Sequence, residues 1–294
     1  MEHRSSLEVL APAASKLLDR HLATANEWFP HELVPWERAG SPEGAGPVVG
    51  PGVASALLVN LLTEDNLPFY LAGLTGAMGA VEPWWDWVRR WTAEEMRHAT
   101  VIRDYVLVSR CLDPFELERT RMAHVSGSEI PTAPTLLDAF VYLALQELAT
   151  RIAHRNTGDA LSDPAGKRVM ARVAADENLH FLFYRDLVVE AMAVDPSGVV
   201  LAIERQTRTF AMPGVRIPGF AAHARAIAAA KIFSAEILLE QVLVPVVLRQ
   251  WRLEDVGPLT PEAELARDRT FAFFERLERI ARRRAAAAPA PAIA

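Results

Sequence analysis

Two short stretches of this chain carry metal-binding residue types in the same order and at the same spacing. Residues 91–98 read Trp-Thr-Ala-Glu-Glu-Met-Arg-His and contain Glu95-x-x-His98. Residues 176–180 read Asp-Glu-Asn-Leu-His and contain Glu177-x-x-His180. Residues three apart on a helix share a face, so each pair aims one carboxylate and one imidazole at the same point. Helix bundles that hold two iron or manganese ions use this pattern: two helices each supply Glu-x-x-His, and the other two each supply one Glu. The single glutamates here are Glu64, in Thr-Glu-Asp-Asn-Leu-Pro, and Glu147, in Leu-Gln-Glu-Leu-Ala-Thr. Glu64 precedes Glu95 by 31 positions (95 − 64), and Glu147 precedes Glu177 by 30 (177 − 147). Both acids lie among leucines (Leu61, Leu62, Leu143, Leu145), where a carboxylate should not be buried without a partner.

Four carboxylates and two imidazoles suit two iron or manganese ions, whereas zinc takes fewer and often softer ligands. Four negative charges balance two divalent ions, and reduced iron in such a site can bind and activate dioxygen. Thr150 follows Glu147 by three residues on the same face. Its hydroxyl either serves as a proton donor beside the metals or bonds back to the Gln146 carbonyl. Asp176, directly before a ligand, either hydrogen-bonds a coordinating histidine of another helix and fixes its ring or is a solvated acid.

The elements that must position these groups are helices. Apolar residues at helical spacing predict helices over 5–26, 53–77, 84–109, 135–156, 165–192, 197–209, 221–251 and 261–284, with a short polar helix over 113–123. Residues 27–36 are expected to be extended around Pro30 and Pro35, and 39–52 to form a Gly/Pro-rich loop. Pro68 stands four residues after Glu64 and denies its carbonyl a helical partner, which predicts a kink within 53–77. A second interruption is expected near Pro245. Turns at 79–83 and 157–166 close two hairpins, and 99–145 contains the long crossover between them. Trp84, Trp85, Trp87 and Trp91 read as packing aromatics. The expectation is an all-α, ferritin-like four-helix bundle core with additional flanking helices, a single domain over 1–284. A disordered Ala/Pro tail is expected over 285–294.

Composition narrows the class. The net charge is −6 across 294 residues, which gives no case for nucleic acid. Cys111 stands alone, excluding an internal disulfide and a thiolate cluster. No apolar run approaches a membrane span and no signal core follows Met1, so a cytoplasmic location is expected.

These motifs, in this order over residues 28–213, resemble the soluble acyl-ACP desaturases. That family includes plant stearoyl-ACP desaturases and shorter actinobacterial, mycobacterial-type members, and the latter look closer. The resemblance implies a di-iron enzyme that inserts a cis double bond into an acyl chain on acyl carrier protein, using dioxygen and two electrons from ferredoxin. It also implies a homodimer. By residue it matches Glu64, Glu95, His98, Glu147, Glu177 and His180 to the metal ligands, with manganese as a substitute for Fe2+/Fe3+. Thr150 matches the active-site threonine, and Trp28 with Asp176 matches an electron path to a ligand histidine. Departures are Ala99-Thr100 after His98, Phe181 after His180, and Arg151 in place of an apolar residue. An acidic carrier needs basic partners, for which Arg89, Arg90, Arg103, Arg110, Arg119 and Arg121 are the candidates. Other readings are a di-iron hydroxylase or N-oxygenase, a ferritin-like metal binder, and a catalytically silent regulatory paralogue.

Overall fold

Four helices of the computed structural model, which describes residues 2–39, 49–79 and 81–287, carry the metal-binding residue types. They are α3 (Pro51–Glu64), α5 (Trp84–Ser109), α7 (Leu136–Ala160) and α8 (Pro164–Val194). Among the described residues all regular structure is helical. Around these four lie α1 (Glu2–Thr24), α2 (Pro30–Leu33), α4 (Leu67–Met78), α6 (Pro114–Ser126), α9 (Pro196–Thr209), α10 (Phe220–Ala229), α11 (Ala235–Ile237) and α12 (Pro261–Ala287). A π-helix, Leu238–Gln250, follows α11.

Helix starts follow local chemistry. The Thr135 hydroxyl accepts from Asp138 N at 3.1 Å, and Asp163 accepts from Ala165 N at 3.1 Å ahead of Pro164. The link between α7 and α8 is only Leu161 to Asp163. Glu147 lies 14 residues before that link (161 − 147) and Glu177 lies 14 after it (177 − 163). At about 1.5 Å per residue both carboxylates stand roughly 21 Å from the turn, at one depth.

The expected kinked helix over 53–77 is two helices. The α-helical pattern stops at Glu64 and resumes at Leu67, with Asp65 and Asn66 in a turn. Pro68 cannot donate to the Glu64 carbonyl, and Arg121 of α6 clamps Asp65 through Nε and Nη2, the latter at 2.9 Å, which fixes the break. The second interruption also moves. It falls at 230–234, while the π-helix passes through Pro245. Trp251 N bonds Val246 O at 2.8 Å, the five-residue spacing of that helix. Residues 30–33 and 36–38 form short helical turns where extended chain is expected. Helix α12 reaches Ala287, three residues into the expected tail; 288–294 and most of the expected 39–52 loop lie outside the described residues.

The core has two apolar layers with a polar layer between. In α5, Trp84 to Trp91 belong to one layer and Val101 to Val106 to the other, leaving Glu95 and His98 between them. In α8 the order is reversed: Val169 to Val173 pack in the second layer and Phe181 to Ala191 in the first, with Glu177 and His180 between. Trp87 stacks on Phe183 with ring centroids 3.6 Å apart. Antiparallel helices thus bring the acidic motifs to the same level, sealed above and below by aliphatic and aromatic side chains.

Candidate metal centre

The six expected ligands meet in that polar layer, in two overlapping sets. Glu64, Glu95, His98 and Glu177 form one, and Glu95, Glu147, Glu177 and His180 the other; within each, one donor atom per residue lies within 4.8 Å of the rest. All six residues are buried. Glu95 and Glu177 belong to both sets, using different oxygens. Glu95 Oε2 lies 3.3 Å from His98 Nδ1 and its Oε1 lies 3.0 Å from His180 Nδ1. Glu177 Oε1 is 3.6 Å from His98 Nδ1, and its Oε2 is 3.6 Å from His180 Nδ1. The two carboxylates therefore span two adjacent positions, while Glu64 and Glu147 each serve one.

The donor set fits a pair of cations. Glu95 Oε1, Glu147 Oε2, Glu177 Oε2 and His180 Nδ1 are all buried without a hydrogen bond, and they are the four residues of the second set. Four polar atoms converging in a dry layer without a hydrogen bond, two of them (Glu95 Oε1 and His180 Nδ1) 3.0 Å apart, are costly unless a positive charge sits among them. The titration of the groups gives the same picture. Burial, with the Glu95 charge beside it, pushes Glu64 up to about 8. Burial next to Glu177 and Glu95 drives Glu147 well above the usual carboxylate range. Burial also opposes ionisation of Glu177, but His154, His180 and His98 hold it well below that range. His98 and His180 are held well above the ordinary imidazole value against their burial, by the acids around them.

Each imidazole turns Nδ1 inward and Nε2 toward a further acid. His98 Nε2 faces Asp176 Oδ2 at 3.4 Å, and His180 Nε2 faces Glu94 Oε2 at 2.9 Å. An acid at Nε2 keeps the proton there and leaves the Nδ1 lone pair free for a metal. Asp176 also accepts from Trp28 Nε1 at 2.7 Å, and Glu94 also contacts His21 Nε2 at 3.0 Å. The Trp28 ring lies parallel to His98, with Arg97 over its face at 4.9 Å.

Thr150 is buried and donates locally, to Gln146 O and Glu147 O at 3.1 Å each. Trp91, expected only to pack, donates Nε1 to Glu147 Oε1 at 3.1 Å. Two residues were not expected at all. Glu94 is 2% exposed and mirrors Asp176. The signal was present, since both copies of the motif read acid-Glu-x-x-His. His154 places Nε2 2.9 Å from Glu64 Oε1 and 3.6 Å from Glu177 Oε1, and these carboxylates raise it to about 9 against its burial. Its signal is the seven-residue step from Glu147, which returns to the same helix face. Of the arginines expected to meet a carrier, Arg89, Arg103, Arg119 and Arg121 pair with acids of this chain, and Arg90 reaches Glu94 at 2.5 Å. No helix among the described residues is long and apolar enough to cross a membrane.

Comparison with known proteins bears on this site. The model of the fatty acid desaturase family matches residues 2–292. DesA1 of Mycobacterium tuberculosis, named as an acyl-[acyl-carrier-protein] desaturase, is 37% identical over 288 residues, covering 92% of this chain and 85% of that protein. The chloroplastic stearoyl-[acyl-carrier-protein] 9-desaturase 6 of Arabidopsis thaliana is 31% identical over 246 residues, covering 77% of this chain and 62% of that one. The X-ray structure of DesA2 of M. tuberculosis H37Rv superposes with a TM-score of 0.71 at 23% identity, over 89% of this chain and 99% of that one. At that identity the likeness concerns the fold.

Proposed function

This chain belongs to the fatty acid desaturase family, and on that premise we propose that it is an acyl-[acyl-carrier-protein] desaturase whose two metal positions hold iron. The observation that carries the reading is the pair of donor sets sharing Glu95 and Glu177, with four of their donor atoms buried and without a hydrogen bond. Two irons bound there supply dioxygen activation, the oxidising power for removing two hydrogens from an acyl chain.

The protein's own part is binding, orientation and exclusion of water. Glu95 and Glu177, which belong to both donor sets, would serve both ions; Glu64 and Glu147 would each serve one; His98 and His180 would offer Nδ1. Four carboxylates neutralise two divalent ions, so the loaded site carries no net charge into the apolar layers. Asp176 and Glu94 hold the imidazole rings, and Trp91 holds Glu147. Thr150 carries a proton one turn from Glu147; by leaving its bond to the Gln146 carbonyl, the hydroxyl turns toward the centre and delivers that proton there. The Trp28–Asp176–His98 chain links the α2 side of the bundle to the centre and is the path for electrons from ferredoxin. The working unit is a homodimer, as in the family resemblance.

Product analysis tests the reading. Iron-loaded protein receives ferredoxin, a reductant, dioxygen and carrier protein bearing saturated chains of several lengths, and mass spectrometry reads the released acids. Loss of two hydrogens, abolished in Glu95→Ala, is expected. Gain of an oxygen instead would make the protein a hydroxylase. Light scattering at twice 32.4 kDa checks the dimer.

A further inference from the structure

The two glutamates that belong to one donor set each are held alike. Glu147 turns Oε1 to Trp91 Nε1, at 3.1 Å, and Oε2 to His180 Nδ1, at 3.9 Å. Glu64 turns Oε1 to His154 Nε2, at 2.9 Å, and Oε2 to His98 Nδ1, at 3.8 Å. In each case one oxygen meets a ring nitrogen outside the donor sets, and the other faces the inward nitrogen of a histidine within them. An indole nitrogen can only donate, and an ionised carboxylate can only accept. With a cation at Oε2, Glu64 therefore requires a hydrogen on His154 Nε2, the counterpart of the Trp91 N–H.

His154 is 1% exposed and is not built as a further ligand. His98 and His180 each have an acid behind Nε2, which keeps the inward nitrogen free of hydrogen. The far nitrogen of His154, Nδ1, is buried without a hydrogen bond, so no acid draws the hydrogen away from Glu64. Its Nε2 also lies 3.6 Å from Glu177 Oε1, too long for a hydrogen bond, so the donor is directed at Glu64. The helices that carry this pair are pinned one turn away. Asn60 of α3 donates Nδ2 to Thr157 Oγ1 of α7 at 3.2 Å, and Thr157 donates to Ala153 O at 2.7 Å. Asn60 and Thr157 share helix faces with Glu64 and His154, so the two links run side by side. Glu64 is the last residue of α3, at the break before Asp65. Its side chain has less helix around it than Glu147 has in mid-α7, and a hold from across the bundle matters more there.

Resting on the two-metal reading above, we infer that His154 is a positioning residue for the metal position served by Glu64 and His98. Its Nε2–H holds Glu64 Oε1 and so presents Oε2 to the cation, as Trp91 does for Glu147 at the other position. The two positions are thereby set by different chemistry, an imidazole at one and an indole at the other, and each can be disturbed without the other.

The test is anaerobic calorimetric titration of the full chain with Mn2+, comparing wild type, H154Q and H154N. The glutamine amide nitrogen reaches the place of Nε2 and keeps an N–H on Glu64; asparagine is one carbon shorter and falls short of it. H154N should weaken one binding step by about tenfold, the low end for groups behind metal ligands. That step should be the one D176N weakens, because Asp176 backs His98 of the same position. The other step should stay near wild type, and W91F should weaken that one instead. H154Q should bring the weakened step back to near wild type. H154Q as weak as H154N would overturn the inference, making the ring itself the requirement rather than its N–H. Equal weakening of both steps by H154N, a loss of packing felt across the centre, would overturn it too, as would no weakening. If H154N does not fold, H154Q decides alone: two intact steps support the inference and a weakened Asp176-linked step overturns it. A wild type that takes up fewer than two ions would instead fail the two-metal reading, and the inference with it.

Discussion

Replacing Glu94 by Gln should weaken one metal position and spare the other. Glu94 makes no direct contact with either position. Its Oε2 receives His180 Nε2 at 2.9 Å and His21 Nε2 at 3.0 Å, while Oε1 lies 2.5 Å from Arg90. Glutamine keeps the shape but loses the charge, and its nitrogen must face either the two imidazoles or Arg90. A charge-assisted hydrogen bond contributes about 1.5–3 kcal/mol and a neutral one about 0.5–1.5, so roughly 1–1.5 kcal/mol of ring orientation is lost. That converts to about tenfold in affinity, at the low end of the 10–100-fold typical of acids behind metal-binding histidines. The loss falls on the position served by His180, because His98 is held by Asp176 on another helix. Anaerobic calorimetric titration with Fe2+ or Mn2+ should show one step near wild type and one weakened by about tenfold. Asp176→Asn should do the same to the other step, and the double variant should weaken both. Equal weakening of both steps by E94Q alone, or of neither, would refute the ring-holding argument.

Other consequences follow from the same geometry. In the metal-free protein Glu64 keeps its proton up to about pH 8, against an ordinary value of 4.5. Its contribution to stability is full below about pH 4.5 and is lost as pH rises toward 8; Glu147, His98 and His180 shift in the same upward sense. The Tm gap between metal-loaded and EDTA-stripped protein should therefore widen from about pH 6 to about pH 8, and a constant gap would contradict this. Trp91→Phe removes the donor to Glu147 and should cost about 1–3 kcal/mol in urea unfolding, with weaker metal binding. Gly166→Ala puts a Cβ against the Tyr105 ring where α8 begins; thermal melts should register about 1–3 kcal/mol of destabilisation.

Much of the bundle was legible because its signals are local. The predicted span of α5 coincides with the observed one, and α7, α8 and α9 differ from it by a few residues, since apolar period, proline and capping Asp or Thr mark their ends. Errors came where one proline was read without its surroundings. Pro68 reads as a kink until Arg121 is seen holding Asp65 in a turn; Pro245 reads as a break until the π-helix carries the chain through it. The same limit hid His154, which looks like any histidine on a helix until Glu64 stands 2.9 Å away.

By itself, the sequence determined the donor set. Helical periodicity puts Glu and His three apart on one face, and equal spacing about a short turn brings two such faces to one depth. Only the tertiary structure decided which glutamates belong to both donor sets, which ring nitrogen points inward, and what stands behind each ring. Those outcomes depend on how four helices rotate and approach across more than a hundred residues, as when α8 lends Asp176 to His98 of α5 and α5 lends Glu94 to His180 of α8. Spacing along one helix fixes a face; the partner of that face is fixed by packing.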